Sequence, residues 1–161
     1  MLLGRPYTAP INISAAFTAQ IDFFELLAAA GKPLRLLGFE LGQTSEVGDA
    51  QEEVLTLVLK RVTGAPTSGS GGGTSTFVPL TPNDTAAGAT LETGNTTKLT
   101  GGTSVEMKRW PFQVRQGVPY QPIPEAMGVL DASTRFVLEL VTTPADSISA
   151  VVGNIDIIEL I

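Results

Sequence analysis

Cysteine and histidine are both absent from the 161 residues. Without cysteine there are no disulfides, thiol nucleophiles or thiolate metal sites, and the redox compartment stays open. Without histidine the chain lacks the usual general base near neutral pH and the commonest metal ligand. Together the two absences exclude Ser-His-Asp and Cys-His machinery. Basic residues are scarce as well: 10 Lys+Arg against 16 Asp+Glu give a net charge of −6, with no basic cluster. Such a chain repels a phosphate backbone on average, so no nucleic-acid partner is expected. No apolar run approaches the ~18 residues of a membrane span. Met1-Leu2-Leu3-Gly4-Arg5-Pro6 has no basic region leading into a sustained apolar stretch, so it is not read as a signal peptide. Neither a membrane nor a cofactor is expected.

Glycine (17) and proline (11) are plentiful and punctuate short runs of β-branched and aromatic residues. That rhythm predicts one all-β domain over residues 1–161, an antiparallel β-sandwich of eight to ten strands, jelly-roll-like in its strand number. Strands are expected within Pro10–Phe17, Ala19–Leu27 (with helix as an alternative, since Ala28–Ala30 extends the run), Leu34–Gly42 and Glu53–Val62. Further strands are expected at Ala89–Thr93, Thr96–Thr100, Ser104–Arg109, Phe112–Arg115, Thr134–Val141 and Ala150–Leu160, with Phe77–Leu80 a short extended piece. Thr85–Gly88 suggests one helical turn, and Pro111 a strand break. Residues 1–10 read as an extended N-terminal arm. Residues 63–76 (TGAPTSGSGGGTST) read as a flexible Gly/Ser loop, too poor in apolar groups to offset its ordering entropy.

Motifs that carry chemistry are thin. Glu46, Asp49, Glu52 and Glu53 cluster as a loop calcium site would, but their spacing fits no EF-hand and a solvated loop explains them better. Asp22, Glu40, Glu92, Glu106 and Glu139 lie on or near strands, so two of them could face each other across a cleft as in glycosidases. Solvent-facing strand positions are the simpler account. Ser68–Gly73 lacks the Gly-Lys-Ser/Thr ending of a phosphate loop. Asn12, Asn83 and Asn95 begin N-glycosylation acceptors in form only. Trp110, beside Pro111 and Phe112, reads as a stacking surface or interface anchor, or more plainly as a half-buried aromatic near a strand break.

Two strips look like contact surface. One is Met1–Pro10, carrying Leu2, Leu3 and Tyr7. The other is Val118–Leu130, carrying Tyr120, Ile123 and Met127. Proline already fixes part of such backbones, so they lose less entropy on docking. With Trp110, these side chains are the expected interaction residues. No catalytic or metal residue is expected, and the chain is not read as an enzyme.

The stretch LRLLGFELGQTSEVGDAQEEVLTLVLKRVTG, the Gly/Ser loop after it, and FVPLTPNDTAAGATLETGNTT resemble small virion proteins of tailed bacteriophages. The likeness covers roughly residues 34–97, with a looser echo in Arg115–Glu125 and Phe136–Ser147. It implies a β-sandwich subunit of the virion, a capsid decoration or cement protein or a minor head protein. It further implies a homo-oligomer, trimer favoured, bound to the major capsid protein or other virion proteins. The rival expectations are a phage or bacterial adhesin that binds glycans, which wants an exposed aromatic cluster, and a carboxylate hydrolase, which wants two acids converging in a cleft.

Overall fold

A computed structural model describes residues 4–44, 53–148 and 150–160. Among these are twelve strands, and every pairing between them is antiparallel. They are β1 (Gly4–Ile13), β2 (Asp22–Leu27), β3 (Leu34–Gln43), β4 (Val54–Thr63), β5 (Gly73–Ser75), β6 (Val78–Pro79), β7 (Thr90–Asn95), β8 (Thr103–Gln113), β9 (Val118–Tyr120), β10 (Val129–Leu130), β11 (Arg135–Leu140) and β12 (Val151–Leu160). One sheet runs β10-β3-β12-β1-β6, with β9 also on β3; the other runs β5-β7-β2-β11-β4-β8. The expected antiparallel sandwich is therefore present. Ala19–Leu27 forms strand β2 and not a helix, because β7 and β11 flank it and bury five of its six residues.

The inner faces follow period-two patterning. Tyr7, Ala9, Ile11 and Ile13 of β1 meet Leu55, Leu57 and Leu59 of β4 and Phe136, Leu138 and Leu140 of β11 in one core. Phe23 and Phe24 join it with edge-on ring contacts to Phe17, Phe112 and Phe39 at 5.4–5.9 Å. Each ring so buried contributes roughly 2–3 kcal/mol by area removed from water.

Three prolines behave differently from expectation. Residues 4–10 are not a free arm but most of β1, in full register with β12. Pro6 and Pro10 fit because their carbonyls point away from β12: Pro6 O accepts from Leu80 N, and Pro10 O from the Ser75 hydroxyl. Each missing N–H therefore falls on the same outer side, where no ladder bond with β12 is lost. Pro111 does not break β8 for the same reason. Its partner Thr56 spends both main-chain groups on the other neighbour, bonding the Thr142 hydroxyl and Val141 N. Pro111 thus turns its donorless nitrogen to the open edge of the sheet. With the nearby register shift and the charges of Glu106, Lys108 and Arg109, it guards that edge against strand addition. Thr85–Gly88 forms no helical turn; Tyr7 Oη and the Glu159 carboxylate pin this stretch by its backbone.

The Gly/Ser segment is packed, not loose. Backbone pairs Thr67–Thr100 and Ser70–Thr97 zip it to residues 96–102, and β5 joins β7. A side chain at Gly69 would meet Thr97 O at 2.2 Å, and one at Gly72 would meet Thr93 O at 2.2 Å. Glycine here permits close backbone approach.

Candidate functional site

Charged residues within the central strands of the second sheet leave the core on its outer side. Asp22 and Glu25 come from β2, Arg135 and Glu139 from β11, Lys60 from β4, and Glu92 and Asn95 from β7. Asp22 pairs directly with Glu139 across β2–β11. Over this face fold the two zipped loops, and their backbone N–H groups end on the carboxylates. Glu25 Oε1 accepts from Gly69 N at 2.9 Å and Asn95 Nδ2 at 2.6 Å. Glu25 Oε2 faces Arg135 Nη1 at 3.5 Å, while Arg135 also reaches Ser68 Oγ. Asp22 Oδ2 accepts from Leu99 N at 2.8 Å. Lys60 and Lys98 each take one oxygen of Glu139, and Lys98 also bonds Gln20.

Burial divides the two opposed acids. Asp22, 2% exposed, is pushed up to about 7, first by desolvation and further by Glu25 and Glu139, against the opposing pull of Leu99 N and Lys98. Burial would also raise Glu139, but hydrogen bonds and charge from Lys60 and Lys98 outweigh it and hold the carboxylate below its usual range. Asp22 is thus poised between its two forms near neutral pH, beside a Glu139 carboxylate held ionised by its lysines. A cavity of about 180 Å³ lies here, lined by Asp22, Lys60, Lys98, Ser104 and Glu139 among others.

Two acids with opposite shifts are the pattern of an acid–base pair. Their bonding favours a structural role. Both oxygens of Glu139 are held by lysines, and Asp22 is committed to the loop backbone. The network satisfies part-buried N–H groups of the loops, which would otherwise lack partners. Sequence patterning singled out Asp22, Glu92 and Glu139, and the structure brings these three into one network. It leaves Glu40 on the other sheet and Glu106 on the exposed β8, bonded to Arg109. Glu25, Asn95, Arg135, Lys60 and Lys98 were missed. For Glu25, Arg135 and Lys60 the signal was a charge inside an otherwise buried strand, as in DFFELL and RFVLEL; the uncharged Asn95 and the loop residue Lys98 carried no such signal. Asn95 is buried against Glu25, which removes it as a glycosylation acceptor.

The contact residues expected from sequence are scattered. Leu2 and Leu3 lie outside the described residues, as do Glu46, Asp49 and Glu52 of the acidic loop. Tyr7 is a correction: it is 0% exposed, a core side chain whose hydroxyl bonds Thr85 O at 3.0 Å. Period-two alternation in β1 turns it inward. Trp110 meets Tyr120 and Phe39 edge to face, and Tyr120 lies tilted against Phe39, with centroids 5.1–5.8 Å apart, closing the sandwich between β8 and β9. Ile123 is 66% exposed, beside a short 3-10 turn at Pro124–Ala126. Met127, with Leu37, Leu80, Pro119 and Pro122, lines a groove of about 470 Å³ on the outer face of the first sheet. A second groove of about 460 Å³ continues from it past Glu40 and Pro119 to Val118 and Val152. No loop of the described chain folds over these grooves as the zipped loops do over the second sheet.

Among the described residues no group of three or more acids is placed to hold a metal ion, and no helix is long and apolar enough to cross a membrane. In comparisons with known proteins, no family model, curated protein or solved structure matches the chain.

Proposed function

We propose that this chain is a virion structural protein, a capsid decoration or cement protein or a minor head protein, that binds and stabilises the shell as a homo-oligomer, trimer favoured. The observation that carries the reading is the outer face of the first sheet, which no loop among the described residues covers. It is grooved and rimmed by Leu80, Met127, Pro119 and Pro122, with Ile123 standing beside it, on a fold that covers its other face with its own loops. Apolar surface left open on a rigid sandwich is the ordinary substrate of protein–protein contact.

The strand order supports a jelly-roll reading: β1-β12-β3 with β9 and β10 beside them, against β2-β11-β4-β8. In this reading β5, β6 and β7 are an insertion between β4 and β8. Jelly rolls recur among capsid proteins, and also among lectins, so this support is by analogy. The adhesin reading wants an exposed aromatic platform, whereas Trp110 and Tyr120 are half-buried and packed edge-on or tilted against each other and Phe39.

The test is sedimentation of the purified chain, alone and with empty shells of the major capsid protein encoded in the same genome. Saturable co-sedimentation and a raised shell melting temperature are expected. A chain that ignores shells and binds a sugar array would overturn the reading in favour of the adhesin.

A further inference from the structure

The groove of the first sheet is not uniformly apolar. Glu40 on β3 and Asp156 on β12 both line it, and no basic side chain does. Neither carboxylate has an ion-pair or hydrogen-bond partner among the described residues, in contrast to the acids of the opposite sheet. Around them stand Leu37, Leu80, Pro119, Pro122 and Met127, with Leu80 56% exposed. Two unpaired carboxylates set within apolar walls form a recognition pattern: the walls take aliphatic side chains, and the acids take a cation between them. The groove continues along the strands into a stretch whose lining includes Arg115, so its shape suits an extended chain more than a helix or a compact ligand, with the cation of that chain seated at the Glu40–Asp156 end.

We propose that this groove docks an extended segment of a partner protein that carries a lysine or arginine flanked by aliphatic side chains. The inference rests on reading this face as the contact surface of the proposed function, and it adds the chemistry of what is recognised. Lysine or arginine stems lie along apolar walls while their heads reach the acids, so one residue can serve both features of the groove.

The experiment uses the full chain and two fluorescein-labelled decapeptides. One alternates lysine with valine, leucine and proline; the other replaces each lysine by glutamate. Fluorescence anisotropy at two salt concentrations is expected to show binding of the basic peptide only, weakening with salt. The pair E40Q/D156N is expected to weaken binding about tenfold, which corresponds to about 1.4 kcal/mol. D131N/D146N removes the same net charge on residues that do not line the groove and should leave affinity within about twofold, as mass attraction to an acidic protein would not. L80S/I123S should also weaken binding, with the thermal transition unchanged.

Equal loss in both charge pairs, equal binding of both peptides, or no binding of the basic one overturns the proposal. So does self-association abolished by L80S/I123S with neither peptide bound, because the occupant is then a second copy. Failure of the two ideas is distinguishable. Shell binding untouched by E40Q/D156N sinks this inference and spares the virion reading, whereas peptide binding without shell binding does the reverse.

Discussion

The outer faces of the two sheets are built from similar strands and treated in opposite ways. On the second sheet, charged residues of β2, β4 and β11 are met by the chain itself: two zipped loops bring backbone N–H groups and Lys98 onto Asp22, Glu25 and Glu139, and the strands themselves supply Lys60 and Arg135. On the first, Glu40 and Asp156 have no ion-pair partner among the described residues and stand beside apolar side chains such as the exposed Leu80. Where a fold spends its own loops on a polar face, the charges stabilise structure. Where it leaves a mixed face uncovered, the charges are the ones that the docking proposal assigns to a partner.

The largest effect expected from this contrast is at Glu25, 2% exposed and accepting from Gly69, Asn95 and the Arg135 side. Glu25→Ala leaves a buried guanidinium and loop N–H groups without partners, and should cost about 3–5 kcal/mol. Denaturant midpoints measure the loss, and hydrogen exchange should show residues 64–72 opening first. Unchanged exchange there would mean that the loops hold themselves.

The next effect depends on pH. Asp22 binds its proton more tightly folded than unfolded, since its value rises from 3.8 to about 7. Its contribution to stability is therefore fully present below about pH 4 and is lost as pH rises through about 7. Asp22→Asn keeps an acceptor for Leu99 N and removes the ionisation. Relative to the native chain it should gain roughly 2–4 kcal/mol between pH 5 and 8.5. Glu139 has the opposite sign. Held low, chiefly against its own desolvation by Lys60 and Lys98, it contributes stability above its ordinary value that falls away in acid. Urea titrations across pH separate the two, and a D22N chain with the native pH slope would refute the assignment.

The smallest effect is expected on the bare face. L80S/I123S touches no core contact and should shift stability by no more than about 0.5 kcal/mol, measured by thermal melting. A large loss would show that the face is structural after all, and would erase the contrast between the sheets.

Much of this was legible in the sequence. Period-two runs such as LRLLGFELG and RFVLEL marked β3 and β11 to within a residue, because hydrophobic alternation acts locally. The prolines misled. Pro6 and Pro10 suggested an arm and Pro111 a break, since sequence cannot tell which side of a strand a missing N–H will face. The Gly/Ser stretch misled in the same way: composition reports that it lacks apolar groups to bury, but not that a carboxylate row waits beneath it. Of the network, Asp22, Glu92 and Glu139 could be named and the rest could not, because Glu25, Arg135, Asn95 and Lys98 meet only across segments far apart in the chain.

The sequence by itself determined the class of fold and the exclusion of imidazole and thiol chemistry, because alternation and composition are properties of single residues and their near neighbours. The tertiary structure alone decided which charges are satisfied and which stand bare. Pairing a charge depends on what another strand or loop brings to within about 3 Å, and that distance is set by sheet order and register, not by spacing along the chain.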